Sequence, residues 1–170
     1  MNWFKKILNI KSTKKQDLED DSTRENFVGL ESFETGKNLY RKEQYELALN
    51  YFDKAIENGY KYSDIFSFRG HCSNYLGLYY DALEDFNKAI NLNPQKGIAS
   101  NYCMRSFIKD SIYDFEGSIA DIKEAIRLSK LNNDDNRWWN NYAKENGYKS
   151  ATEKYEKDLI YLNRKNKNNN

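Results

Sequence analysis

From Tyr45 onward, apolar and small residues recur on a helical spacing that is broken at near-constant intervals. Tyr45, Ala48, Leu49, Phe52, Ala55 and Ile56 fall three and four apart, which places them along one face of a helix. Tyr79, Ala82, Leu83, Phe86, Ala89 and Ile90 repeat the arrangement, with Ala48 and Ala82 34 residues apart. A third copy, Phe115, Ser118, Ile119, Ile122, Ala125 and Ile126, follows 36 residues later, after a slightly longer loop around Pro94-Gln95-Lys96-Gly97. A weaker fourth copy runs from Tyr148 to Leu159, and its Asp158 takes the place of a small apolar residue. Paired alanines seven apart share a face, and a one-carbon side chain there lets a neighbouring helix approach closely. Each unit is therefore expected to be two short antiparallel helices. One such pair cannot cover its own apolar stripe, so Tyr51, Phe52, Ile56, Leu83, Phe86, Ile90, Ile119 and Ile122 become buried only when neighbours stack. Asp158 marks the last pair as a cap whose outer face meets water.

Punctuation supports this division. Ser22 and Glu25 have capping-box spacing, and Gly59 and Gly77 stand where helix ends favour a left-handed residue. The 34-residue period, with its aromatic, Ala-Leu, Phe and Ala-Ile pattern, resembles the tetratricopeptide repeat over about residues 25 to 163. The second unit matches best, through Gly70, Gly77, Tyr79, Ala82, Phe86, Ala89 and Pro94. The first keeps Gly36, Tyr45, Ala48, Phe52 and Ala55 and ends its second helix at Gly59 in place of a proline. The third has Ser106 for the helix-packing glycine and Lys130 for the proline. The resemblance implies an all-α, right-handed superhelix of antiparallel helix pairs, with three repeats and a degenerate C-terminal capping pair. Residues 22–163 are expected to form the array, in units at about 22–60, 61–94, 95–130 and 131–163. Residues 1–21 would precede it as a basic amphipathic segment with an acidic linker, and 164–170 would follow as an unfolded polar tail.

The resemblance also implies a concave wall lined by the first helix of each unit, where partners bind as extended or helical peptides. The corresponding positions are Phe33, Lys37, Tyr40 and Arg41, then Ser67, His71, Asn74 and Tyr75, then Cys103, Phe107 and Asp110. A peptide with apolar side chains and a negatively charged end would suit Lys37, Arg41 and Tyr40. The plainer reading makes Lys37 and Arg41, four apart, a solvated helix face. At the places of the family's carboxylate clamp stand Phe33, Lys37, Phe68, Ser100 and Met104, so a C-terminal chaperone tail is not supported as the ligand.

Composition narrows the alternatives. Lysine and arginine total 27 against 26 acidic residues, and no basic stripe runs through the repeats, so nucleic acid is not an expected partner. The 14 tyrosines and nine phenylalanines are read as packing residues because of their helical spacing. Cys72 and Cys103 are too few and too far apart for a disulfide framework, and are read as reduced thiols of a cytoplasmic protein. No cofactor or metal motif is present. Catalysis could rest only on Cys103 and His71, which would face one groove from adjacent units as a thiol and its base. No oxyanion hole or orienting third group accompanies them, so the chain is read as a binding protein and not an enzyme. Trp138-Trp139 is read as a cover for the end of the core. Trp3, Phe4, Ile7, Leu8 and Ile10 gather on one side of a helical plot among five lysines, which makes a membrane-peripheral scaffold the alternative function.

Overall fold

The computed structural model describes residues 21–93, 99–131 and 137–169. The N-terminal amphipathic segment, most of its linker and Pro94 lie outside the described residues, and so do the side chains of Ser22, Glu25 and Trp138. Among the described residues every regular element is a helix, with no strand: α1 (Asp21–Arg41), α2 (Tyr45–Glu57), α3 (Ser63–Tyr75), α4 (Tyr79–Leu92), α5 (Ala99–Ser111), α6 (Phe115–Leu131), α7 (Arg137–Glu145) and α8 (Ala151–Asn169). The first six helices form three antiparallel hairpins, and α2 packs against α3 and α4 against α5 to join them into a stack. Acidic residues in the first turns of α2, α4 and α6, namely Glu46, Asp81 and Glu116, complement the partial positive charge at those helix starts.

One turn geometry recurs inside every pair. The second residue past the helix adopts positive φ: Glu43 (60°), Gly77 (75°), Tyr113 (67°) and Gly147 (84°). The next amide then donates back to the carbonyl five residues earlier, as in Leu78 N to Ser73 O at 2.9 Å and Asp114 N to Lys109 O at 2.8 Å. Gly59, at 84°, ends α2 in the same way. Glycine is thus present at three of these five left-handed positions, which include the two helix ends expected from the sequence.

The small residues are where the helices come closest. Ala48, Ala82, Ser118 and Ala151 have no exposed surface, and neither do Ala55 and Ala125. In the first two units a glycine of the first helix faces a phenylalanine of the second. A Cβ on Gly36 would lie 2.6 Å from the Phe52 ring, and one on Gly70 would lie 3.0 Å from the Phe86 ring. The third unit replaces both small residues together: Ser106 and Ser118 are fully buried, and their hydroxyls are hydrogen-bonded at 3.1 Å. The two departures from the repeat pattern are therefore one coupled change, in which each hydroxyl supplies the partner that the other's burial requires.

Arginines tie successive units together. Arg69 of α3 forms a fork on Asp85 of its own unit, with Nε–Oδ2 at 2.9 Å and Nη2–Oδ1 at 2.7 Å, and its Nη1 reaches Asp53 of the preceding unit at 2.6 Å. Arg105 repeats this on Asp121, at 2.8 and 2.6 Å, and on Asn87 at 2.7 Å. Burial pushes the Asp85 carboxyl up while Arg69 pulls it down, so the guanidinium is what keeps a nearly enclosed charge tolerable.

The last two helices depart from the hairpin pattern. The principal contact of α8 is α6, with less on α7. Ser129 and Thr152 share a hydrogen bond at one end of the α6–α8 contact, beside the Lys130–Glu156 ion pair at 2.7 Å. At the other end Lys165 Nζ lies 2.7 Å from Asp110 Oδ2. Tyr155 and Leu162 are buried in a cluster with Cys103, Ile122, Ala125 and Trp139. Two expectations are corrected here. Residues 164–169 are helical instead of unfolded, because Lys165 anchors that end of α8 on α5. Asp158 does not stand open to water: it is half-buried and pairs with Lys154 at 2.7 Å.

Ser106→Ala and Ser118→Ala should each lower unfolding stability by roughly 1–3 kcal/mol by orphaning a buried hydroxyl, whereas the double variant should lose far less than their sum; additive losses in a denaturation cycle would refute the coupling. Arg69→Met should cost on the order of 3 kcal/mol in the same measurement, because Asp85 is left as an enclosed, unpaired carboxylate.

Candidate functional site

The stripe along α1 and α3 is built mostly from aromatic rings. Phe33 stacks on Tyr60 with centroids 4.4 Å apart and meets Phe68 edge-on at 5.9 Å. Lys37 lies above these rings, its Nζ 4.9 Å from the Phe33 centroid and 2.9 Å from Glu34 Oε1. Tyr40 contacts Phe68 at 5.5 Å, His71 at 6.1 Å and Tyr75 at 6.4 Å, and Tyr45 stacks nearly parallel on Tyr75 at 4.4 Å. Burial, reinforced by neighbouring tyrosines, pushes the Tyr40 hydroxyl well above its usual range, so it remains a protonated donor. Tyr60 donates to Asp64 at 3.2 Å, and desolvation raises that carboxyl.

Farther along, α3, α5, α7 and α8 surround a cavity of about 180 Å³ lined by His71, Tyr75, Met104, Phe107, Trp139, Tyr142 and Lys154. Trp139 is buried by packing on Tyr155 at 6.4 Å and Tyr142 at 5.4 Å, in agreement with its expected covering role. His71 meets the Phe86 ring edge-on at 5.2 Å, and desolvation lowers its pKa to about 4, so the imidazole is uncharged at neutral pH. Lys154 sits 4.8 Å over the Phe107 ring, with its charge met by Asp158.

The residues expected along the wall are not equally accessible. Arg41 and Tyr75 are exposed; Lys37, Tyr40, Ser67, His71 and Asn74 are half-buried. Phe33 and Cys103 belong to the core and support the wall from beneath. Arg41 Nη1 donates to Asn38 Oδ1 at 3.2 Å, and Ser67 Oγ to the Ser63 carbonyl at 3.1 Å. In the third unit all three positions are engaged by the chain's last helices: Cys103 within the Trp139–Tyr155 cluster, Phe107 beneath Lys154, and Asp110 by both of its oxygens on Lys165. Met104, Trp139, Tyr142 and Lys154 were not among the expected wall residues. The Trp139–Tyr142 spacing of three, on one helix face, was the available signal for α7.

The buried thiols are poor nucleophiles. Burial pushes the Cys72 thiol up to about 12 and holds the Cys103 thiol higher still, and the neutral His71 supplies no positive charge to stabilise a thiolate. Among the described residues no group of three or more histidine, cysteine or acidic side chains is arranged to hold a metal ion, and no helix is long and apolar enough to cross a membrane.

Comparison with known proteins finds tetratricopeptide-repeat likeness in part of the sequence and in the fold. The sequence profile of the tetratricopeptide repeat matches residues 64–96. A curated relative, the Hsp70-Hsp90 organizing protein of Triticum aestivum, is 28% identical over 107 residues; these cover 62% of this chain and 18% of that protein. The chain thus spans less than a fifth of that relative's length. Among solved structures, the TPR2B domain of yeast Sti1 in its pHsp70 complex superposes with a TM-score of 0.64 at 14% identity, over 82% of this chain and 98% of that one. The type III secretion chaperone SycD of Yersinia enterocolitica, in complex with a peptide of the translocator YopD, gives 0.64 at 12% identity, over 89% and 99%. At these identities the likeness establishes a shared fold.

His71 is the only histidine, so its titration can be followed directly by NMR, with an expected midpoint near pH 4. Because the unfolded chain takes up this proton near pH 6.5 and the folded chain only near 4, its contribution to stability is complete above 6.5 and declines as the pH falls through that interval. Replacing it by glutamine should flatten that part of the stability profile; a midpoint near 6.5 in the folded protein would contradict the burial.

Proposed function

We propose that this chain, a tetratricopeptide repeat protein in sequence and fold, is a non-enzymatic protein-interaction module that holds a peptide or partner helix against the aromatic wall of α1 and α3. The observation that carries this reading is the preassembled ring surface of Tyr40, Tyr45, Phe68, His71 and Tyr75, with the Lys37 ammonium 5.9 Å over the Phe68 ring. Aromatic residues already locked by their neighbours lose little conformational freedom when a partner docks, which is why such surfaces dominate binding energetics. The pHsp70 complex of the similarly folded Sti1 domain and the YopD peptide held by SycD support the same use of the fold.

The partner segment carries apolar side chains and a negative charge at one end. Lys37 pairs with Glu34 and lies near the Asp64 carboxyl, Arg41 donates to Asn38, and each cation can turn toward an acidic guest. The α5 part of the stripe is less available because α7 and α8 lie on it, so recognition concentrates on the first two units. At the clamp positions, Phe33 is buried and Ser100 and Met104 bring no charge, which argues against a chaperone C-terminus as the guest. A cytoplasmic location accords with the two reduced thiols.

Panning a random peptide library on the full-length chain tests this reading. Selected peptides should combine apolar side chains with an acidic end. Tyr75→Ala should weaken their binding at least tenfold, and the Lys37→Glu/Arg41→Glu pair should also weaken it, each without lowering the melting temperature. Failure to recover any binder, or affinities unchanged in both variants, would remove the groove assignment.

A further inference from the structure

We propose that the open cavity lined by α3, α5, α7 and α8 is an anchor subsite, receiving one uncharged side chain, branched aliphatic or aromatic, from the bound segment. This rests on the peptide-binding reading above and specifies its chemistry. Size is the first argument. At about 180 Å³ the cavity is several times the roughly 30 Å³ that one water occupies, and well below the roughly 300–1,000 Å³ of sites that enclose a whole small ligand. A single large side chain fits that interval.

The lining decides which kind. Tyr75, Phe107, Trp139 and Tyr142 offer rings, Met104 a polarizable thioether that adapts to irregular shapes, and His71 an uncharged imidazole. The one formal charge, Lys154, is already neutralised by Asp158 at 2.7 Å and held over Phe107. A charged guest would lose its hydration here and find no free counter-charge, whereas an apolar guest loses nothing. The cavity is also reachable from the wall. Tyr75 belongs both to the exposed ring surface and to the lining, and it is 57% exposed; Tyr142, across the cavity on α7, is 37% exposed. A segment lying along α1 and α3 therefore meets the opening without rearrangement of the core.

The helix that makes this pocket is the one that leaves the hairpin pattern. With Trp139 packed on Tyr155, and Asn140 Oδ1 accepting from the Ala151 amide at 3.0 Å, α7 is pinned at both its core side and its junction with α8. It stands as a fourth wall opposite α3.

NMR of the full-length chain provides the test, following the Met104 methyl and the Trp139 indole N–H during titration with toluene, indole and benzoate. Saturable shifts are expected with toluene and indole, and at least tenfold weaker binding with benzoate. Met104→Trp, which fills the space, should abolish the shift of Trp139; Tyr142→Ala, at a partly exposed position, should weaken toluene binding several-fold and serves if the filled variant does not fold. Peptides selected on the wild-type chain should lose at least tenfold in affinity for Met104→Trp. No saturable shift with the neutral probes, or equal binding of benzoate, would overturn the subsite. Peptides that bind the wild type and both variants equally would overturn it while leaving the groove reading intact. Toluene binding with no recoverable peptide would overturn the groove reading and the anchor role together.

Discussion

The structure depends on how closely two helices of a pair can approach. At Gly36 and Gly70 even one added carbon would press on a phenylalanine ring, Phe52 and Phe86 respectively, each fully buried. That contact sets each hairpin's thickness, and the hairpin's thickness sets how the next one stacks. The third unit shows the constraint being met by other means, since Ser106 and Ser118 tolerate burial by bonding to each other. The demand is for small residues at the contact whose polar groups, if any, are satisfied.

Stacking in turn positions the aromatic wall. Phe33 and Tyr40 come from α1, Tyr45 from α2, and Phe68 and Tyr75 from α3, so the rings meet only because adjacent units pack in one register. The arginine forks help to hold that register: Arg69 engages one acid of its own unit and one of the unit before, and Arg105 engages Asp121 of its own unit and the Asn87 amide oxygen of the unit before. Each guanidinium is a strut between hairpins, with several donors arranged to suit two acceptors at once.

The end of the array obeys the same rule of covering exposed apolar surface, with a different outcome. Had α7 and α8 formed a fourth close hairpin, Trp139 would face Tyr155 across an interface that elsewhere holds a glycine or serine. No tight pair can form around two large rings. Accordingly α8 lies on α6, α7 stands off toward α3, and the space left between them is the cavity.

Much of this was legible in the sequence because its signals are local and periodic. The recurrence of Ala48, Ala82 and Ser118 identified the pairs, and Gly59 and Gly77 their ends, since helical spacing and backbone handedness depend on near neighbours in the chain. The Arg69–Asp85 and Arg105–Asp121 spacings, both 16 residues, were also present to be read. Accessibility was not. That Phe33 and Cys103 lie beneath the wall, that Lys154 and Lys165 of α8 cover Phe107 and Asp110, and that α7 closes a cavity were decided by tertiary packing. A helical stripe specifies which residues share a direction; which of them still face solvent depends on what the rest of the chain lays over them.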